Sequence, residues 1–112
     1  TALQNAGYTG STFPIVTGQD AEIASVKLMA DKVQFSTIFK DTRKLAAQAI
    51  IVAQAFLKGE APVANDTKSY NNGVKIVPSF LLASDIVYAD NITKLLVDSG
   101  YWTAAQVASG QK

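Results

Sequence analysis

Two stretches of sequence decide the fold of this chain: Phe13-Pro14-Ile15-Val16-Thr17-Gly18-Gln19-Asp20 and Gln34-Phe35-Ser36-Thr37-Ile38-Phe39-Lys40. Within them, residues 13–17 and 34–39 are short runs of mostly apolar, β-branched and aromatic side chains, a pattern typical of buried strands. Between the two runs, apolar residues recur at helical spacing over 21–33, and Asp20 is placed to cap that helix. The order strand, helix, strand predicts parallel strands joined by a helical crossover.

The same alternation extends in both directions along the chain. Residues 1–8 have the pattern of a final helical turn closed by Gly7. Residues 43–58 form a longer helical pattern that ends at Gly59, and Asp41 is expected to cap this helix at its start. We therefore expect helices to flank the predicted strands.

A third strand is predicted over residues 74–77, where the chain alternates and then reaches Pro78, which cannot donate to a strand ladder. Asp90 or Asn91 is expected to cap a last helix, and residues 103–112 are expected to be loosely held. The whole order predicts an α/β fold, a parallel sheet flanked by helices. Three strands leave sheet edges and helix faces uncovered, so we expect the chain to be incomplete on its own and to be the C-terminal third of a larger protein.

The composition excludes several kinds of site. The 112 residues include no Cys and no His, which removes thiol nucleophiles, thiolate metal sites and the imidazole base. Neither a Walker phosphate loop nor the three-glycine dinucleotide motif is present, so no cofactor is expected, and the spread of the acidic residues predicts no metal site. A formal net charge of +1 provides no field to recruit nucleic acid. Without His, Cys or an evident carboxylate pair, no enzymatic activity is expected.

Polar side chains follow the first two predicted strands. In open α/β sheets the ligand lies at the carboxyl ends of the strands, where Asp20 and Lys40 are found. If the strands are neighbours, an acceptor and a three-fold donor point into one crevice, a pairing that suits sugar hydroxyls. The alternatives are a plain helix cap for Asp20 and a solvated strand end for Lys40. Four aromatic residues are either sugar-stacking surfaces or, more commonly, hydrophobic plugs near helix ends: Tyr70, Tyr88, Tyr101 and Trp102.

Three strings of residues resemble the periplasmic sugar-binding components of ABC importers. The resemblance is strongest to the multiple-sugar-binding, ChvE-type branch, which is related to the galactose- and xylose-binding proteins. It covers nearly the whole chain in register, but only the last third of such a protein. The strings that carry it are Pro14-Ile15-Val16-Thr17-Gly18-Gln19-Asp20-Ala21-Glu22, Phe39-Lys40-Asp41-Thr42-Arg43-Lys44-Leu45-Ala46 and Asn65-Asp66-Thr67-Lys68-Ser69-Tyr70-Asn71-Asn72-Gly73-Val74-Lys75.

The resemblance implies a type I periplasmic-binding-protein fold, in which two α/β lobes are joined by three hinge crossings and close around the sugar. It assigns residues 1–40 and 79–112 to the C-terminal lobe and residues 41–78 to the N-terminal lobe. It also implies that Asp20 and Lys40 contact sugar hydroxyls, and that the remaining sugar ligands lie upstream. The hinge crossings would include Asp41, Thr42, Val77 and Pro78.

The resemblance also implies a function without catalysis: capture of a monosaccharide in the cleft between the lobes for an ABC sugar importer. The expected location is periplasmic or extracytoplasmic. The expected partners are the sugar, the membrane subunits of the importer, a chemosensor and the missing N-terminal portion of the same protein, with no nucleic acid. An alternative is the ligand-sensing core of a LacI-type transcription regulator, which would need a helix-turn-helix module upstream.

Overall fold

The computed structural model describes residues 2–112 and divides into two compact units. The first unit contains the described residues up to Phe39 together with Asp85–Lys112, and the second unit is Lys40–Ser84. Thr1, the first residue of the predicted N-terminal helical turn, lies outside the described residues.

The first unit is built on a three-stranded sheet. Its strands, in spatial as in chain order, are β1 (Thr17–Gln19), β2 (Ser36–Phe39) and β3 (Asp85–Tyr88). β1 and β2 are parallel neighbours, with Gly18 opposite Thr37, which confirms the predicted pairing of the first two strands. β1 begins at Thr17, four residues later than the predicted start at residue 13. Just before the two strands begin, the Phe35 amide donates a hydrogen bond to the Val16 carbonyl at 2.7 Å.

The third strand differs from the prediction in both position and direction. Residues 74–77 form no strand of the sheet, and only an isolated antiparallel bridge joins Asn71 to Ile76 there. β3 instead lies further along the chain and runs antiparallel to β2, with Val87 opposite Thr37. The sheet is therefore mixed, and the prediction of a wholly parallel sheet is wrong. Strand direction depends on the path of the intervening chain, which a local alternation of side chains does not encode.

The first unit also contains several short helical segments. α1 ends near Gly7, which has a φ of +86°, as the sequence predicted for a left-handed helix stop. The segments are α1 (Ala2–Asn5), a 3-10 turn (Gly10–Thr12), α2 (Ile23–Ala30), a π-helical segment (Thr93–Val97) and α4 (Ala104–Ser109).

Two predictions about the C-terminal residues are wrong. Ile92 occupies the N-cap position of the π-helical segment without a side-chain capping bond, while the Asn91 side chain closes the turn after β3 by accepting from the Tyr88 amide at 2.8 Å. The last residues are not loose, because α4 begins with a capping box between Thr103 and Gln106 and packs against α2. Val107 contacts the core from this helix.

The hydrophobic core lies entirely in the first unit, between one face of the sheet and the helices α2 and α4. Met29 and Val26 of α2 are fully buried, as are Val87 of β3 and Leu96 of the π-helical segment. On the other face of the sheet, Ile86 is 49% exposed. This face is buried at Ser36 and open at Ile86, in agreement with the expectation that the chain leaves surfaces uncovered.

The second unit consists of one long helix and an extended segment. α3 (Thr42–Leu57) ends at Lys58, and Gly59 follows with a φ of +73°. None of the described residues of α3 is buried, and Phe56 is 67% exposed. Residues 60–84 contain two isolated bridges, one of which joins Asp66 to Ser79. Exposed apolar side chains on this scale mark the face of α3 as one that packs against further protein surface.

Truncating Met29 is expected to destabilise the core of the first unit. The side chain is fully buried, so Met29→Ala leaves a cavity and should lower the free energy of unfolding by about 2–5 kcal/mol. Urea unfolding followed by circular dichroism measures this change. Lys94→Ala is the matched control, because Lys94 is an exposed charged residue of the same unit and should change the unfolding free energy by less than about 0.5 kcal/mol. Equal effects of the two substitutions would contradict this location of the core.

The Asp66 turn of the second unit should titrate at unusually low pH. The Ser69 hydroxyl and the backbone amides of Lys68 and Ser69 donate to the Asp66 carboxylate and lower its pKa to about 2. Because the pKa is lowered in the folded state, the turn is stabilised at pH values above the unfolded pKa, and this stabilisation is lost as the pH falls towards 2. Ser69→Ala should raise the pKa of Asp66, as measured by carboxyl carbon shifts in an NMR titration. An unchanged pKa in this variant would contradict the role of the hydroxyl.

Candidate functional site

Asp20 lies just beyond the carboxyl end of β1, which is where open α/β sheets bind their ligands. It follows β1 directly, its side chain is exposed, and its backbone amide donates to the Ile38 carbonyl at 2.7 Å. This bond continues the pairing with β2 beyond the last residue of the strand. Asp20 is thus fixed at the carboxyl end of a parallel strand, the position at which open α/β sheets bind ligands.

Asp20 does not cap α2, so that alternative is wrong. The helix begins at Ile23 and its N-cap residue is Glu22, which makes no capping bond through its side chain. The sequence prediction failed because Asp20 and Ala21 both take positive φ values, 76° and 48°, and form a tight reversal ahead of the helix. A left-handed conformation costs roughly 1–2 kcal/mol for an L-residue that is not glycine, so two consecutive cases need strong local restraints.

The restraints come from side chains on both sides of Ala21, which is fully buried. The Ala21 amide donates to the Thr37 hydroxyl at 3.3 Å, and the Ala21 carbonyl accepts from the Trp102 indole N–H at 3.0 Å. Thr37 belongs to β2 and is itself fully buried. The reversal next to Asp20 therefore has both of its inward-facing backbone groups satisfied.

Trp102 is held in place by a chain of aromatic contacts. Its ring meets Tyr101 edge to face with centroids 5.2 Å apart, and Tyr101 meets Phe39 in the same way at 4.7 Å. Both Tyr101 and Trp102 pack against the core, in agreement with the plug interpretation of these two residues. The bond from Trp102 to Ala21 could not be predicted from the sequence, because no local pattern connects residues 81 positions apart in the chain.

Lys40 directly follows β2 and is the first residue of the second unit. Its side chain is exposed. Asp20 and Lys40 belong to different units, and the convergence of their side chains on one ligand stays a prediction.

The residues after Lys40 form a tightly bonded helix start. Asp41 is the N-cap of α3, as predicted, and accepts from the Arg43 amide at 3.0 Å. The Arg43 guanidinium also donates two hydrogen bonds to the same carboxylate, from Nε to Oδ1 at 2.9 Å and from Nη2 to Oδ2 at 2.8 Å. These bonds from Arg43 hold the pKa of Asp41 below its usual value. Thr42 is the first residue of the helix. The predicted hinge roles of Asp41 and Thr42 stay predictions.

Val77 and Pro78 lie in the extended part of the second unit, between backbone bonds on either side. The Val77 amide donates to the Tyr70 carbonyl at 2.8 Å, and the Ser79 amide donates to the Asp66 carbonyl at 2.8 Å. Pro78 separates the two bonds and donates none, as a proline must. Their hinge roles also stay predictions.

If cavity volume alone were used to locate the ligand site, it would point to a place other than Asp20. A cavity of about 530 Å³ in the first unit is lined by Val16, Phe35 and Tyr88, at the amino ends of β1 and β2. This is the end of the strands opposite to Asp20. A cavity of about 240 Å³ in the second unit is lined by Lys40, Asp41 and residues of the stretch 80–83. Volume does not identify the ligand site here, so the position of Asp20 at the strand end carries more weight.

Two further kinds of feature would bear on function among residues 2–112, a cluster of metal-ligand side chains and a membrane-spanning helix. Across residues 2–112, no group of three or more acidic side chains is placed to hold a metal ion. Within the same range, no helix has both the length and the apolar character needed to cross a bilayer.

Comparison with curated proteins shows similarity to periplasmic sugar-binding proteins over nearly the whole chain. The chain is 48% identical over 108 residues to the multiple sugar-binding periplasmic receptor ChvE of Rhizobium radiobacter, covering 95% of the chain and 30% of that receptor. It is 47% identical to the multiple sugar-binding periplasmic protein SbpA of Azospirillum brasilense, covering 94% of the chain and 30% of that protein. It is 35% identical to the D-xylose-binding periplasmic protein of Escherichia coli, covering 89% of the chain and 29% of that protein.

Two solved structures show the same likeness in three dimensions. An ABC transporter solute-binding protein from Clostridium phytofermentans with bound β-D-glucose is 51% identical and superposes with a TM-score of 0.84, covering 95% of the chain and 32% of that structure. A carbohydrate transporter solute-binding protein from Chloroflexus aurantiacus in complex with D-glucose is 46% identical, with a TM-score of 0.77, covering 82% of the chain and 26% of that structure. No protein-family model matches the chain. The chain thus spans about 30% of the length of its curated relatives.

Proposed function

From its homology to the periplasmic sugar-binding proteins of ABC importers, we propose that this chain is the C-terminal third of such a protein and contributes to its sugar site. The observation that carries the proposal is the match of 51% identity and a TM-score of 0.84 to a solute-binding protein that holds β-D-glucose. Identity at this level over 95% of the chain supports a shared ligand class as well as a shared fold. The proposed ligand is a monosaccharide, bound without catalysis.

The proposed sugar contacts are Asp20 and Lys40. Asp20 is an exposed carboxylate fixed by its backbone at the carboxyl end of a parallel strand, and such a group accepts hydrogen bonds from sugar hydroxyls. Lys40 supplies donors from the residue that follows the next strand. Charge-assisted hydrogen bonds of this kind contribute about 1.5–3 kcal/mol each, enough to orient a sugar.

The division into two units supports the proposed lobes. One change of unit falls between Phe39 and Lys40, next to the proposed second hinge crossing at residues 40–42. The return to the first unit falls between Ser84 and Asp85, beyond the proposed third crossing at residues 76–79. In this proposal residues 1–40 and 79–112 belong to the C-terminal lobe and residues 41–78 to the N-terminal lobe, with Asp41, Thr42, Val77 and Pro78 in the hinge. The units agree with these lobes near the second crossing and differ from them after the third, where residues 79–84 stay in the second unit.

The relatives favour the importer over the two alternative classes. Those named above are periplasmic receptors and solute-binding proteins, and this supports sugar capture rather than a LacI-type regulator. Substrate-binding proteins make and break no covalent bond, and a chain without His or Cys is consistent with that role. The proposed partners are the membrane subunits of an ABC importer and a chemosensor, and the proposed location is the periplasm.

Replacing the proposed carboxylate tests the sugar site. In the full-length protein, Asp20→Ala should lower the affinity for D-glucose by about 2–3 kcal/mol, roughly 30- to 150-fold, because a sugar hydroxyl loses its charged acceptor. Isothermal titration calorimetry measures the dissociation constant. Asp98→Ala is the matched control, since Asp98 is an exposed aspartate at the end of the π-helical segment.

The outcomes separate the possibilities. Loss of affinity in Asp20→Ala but not in Asp98→Ala supports the assignment. Unchanged binding in Asp20→Ala overturns Asp20 as a sugar ligand. If the unsubstituted full-length protein binds none of D-glucose, D-galactose and D-xylose, the proposed function itself fails.

A further inference from the structure

We propose that Thr37 and Trp102 are positioning residues for the sugar site, which act by holding the Ala21 peptide groups so that Asp20 is presented at the end of β1. The inference rests on the proposed function, because it concerns the same carboxylate. It adds two residues to the proposed site, Thr37 within β2 and Trp102 near the C-terminus of the chain, and neither lies just after a strand as Asp20 and Lys40 do.

The backbone next to Asp20 needs an external restraint. Asp20 and Ala21 have φ values of 76° and 48°, and neither is a glycine. Aspartate tolerates the left-handed region better than alanine does, since its short polar side chain can bond locally. The strain is therefore concentrated at Ala21, and the groups that bond to Ala21 determine whether this conformation persists.

Two side chains supply that restraint from opposite sides. The Thr37 hydroxyl accepts the Ala21 N–H at 3.3 Å, and the Trp102 indole N–H donates to the Ala21 carbonyl at 3.0 Å. Ala21 and Thr37 are fully buried, so water does not replace either bond at low cost. If either bond is lost, a buried backbone group is left unsatisfied and the reversal is free to relax.

Each restraining side chain is itself fixed. Thr37 is paired on both sides in the sheet, with Gly18 of β1 and Val87 of β3. The Trp102 amide donates to the Leu96 carbonyl at 3.0 Å, and its ring is stacked edge to face on Tyr101. A rigid second set of groups that orients a ligand-binding side chain is a general requirement for a precise site.

Conservative substitutions in the full-length protein separate positioning from stability. Trp102→Phe keeps an aromatic ring and removes the N–H, and Thr37→Val keeps the shape and removes the hydroxyl. Each should weaken D-glucose binding about five- to tenfold, as measured by calorimetry. Thr37→Ser keeps the hydroxyl and should restore affinity to within about twofold of the unsubstituted protein. Val107→Ala is the stability control, because Val107 packs against the core from α4 and has no side-chain N–H or hydroxyl to bond to the Ala21 backbone.

A double-mutant cycle supplies the decisive readout. If Thr37 and Trp102 act through Asp20, then Trp102→Phe and Thr37→Val should cause no further loss of affinity in an Asp20→Ala background. Val107→Ala should lower the thermal unfolding midpoint while leaving affinity unchanged. Backbone NMR shifts of Asp20 and Ala21 should move in Trp102→Phe and Thr37→Val, and should stay in place in Val107→Ala.

Each result supports or overturns the proposal. Unchanged affinity in Trp102→Phe and Thr37→Val, or an equal loss with and without Asp20, overturns the positioning role and leaves the sugar-site assignment standing. An Asp20→Ala variant that binds as tightly as the unsubstituted protein overturns the sugar-site assignment and this inference with it. If Thr37→Val does not fold, Trp102→Phe decides the question, because it keeps the ring that packs on Tyr101.

Discussion

The first unit depends on the hydrogen bonds of the buried Ala21 backbone, which link segments far apart in the chain. Ala21 lies between the parallel strand β1 and the helix α2, and its two backbone groups bond to a side chain of β2 and to Trp102. These two bonds connect the segment between β1 and α2 to two other parts of the chain, β2 and the C-terminal residues. A left-handed alanine is unfavourable in isolation, so this conformation exists because the surrounding groups determine it. The proposed sugar carboxylate is the residue immediately before it.

The two units obtain their order in different ways. The first unit has a true core, in which Met29, Val26 and Leu96 are fully removed from water. The second unit is organised by local polar bonds instead, including the Asp41–Arg43 pair at the start of α3 and the Asp66 turn. Its long helix leaves large apolar side chains exposed, among them Leu45 and Phe56. This contrast is consistent with a chain that spans about 30% of the length of its relatives.

Much of the candidate site could be predicted from the sequence, since its main elements are local. A strand pattern followed by Asp20 is enough to place a carboxylate at a strand end once the parallel pairing of β1 and β2 is correct. Asp41 as a helix cap is equally local. The reversal at Asp20–Ala21 was missed because an aspartate just before a helical pattern normally indicates a cap, and positive φ at an alanine has no sequence signal. The contribution of Trp102 was missed because it depends on a contact between residues at opposite ends of the chain.

The sequence by itself determined the helices α2 and α3, the pairing of the first two strands and the resemblance to sugar-binding proteins, because hydrophobic periodicity and capping act over a few residues. Only the tertiary structure decided that the third strand is Asp85–Tyr88 and runs antiparallel, and that α4 is packed rather than loose. The direction of a strand and the docking of a short helix depend on which distant segments they pack against. The local sequence of each segment is compatible with several such arrangements. The same physical reason explains why the support for Asp20 came from residues that no local pattern connects to it.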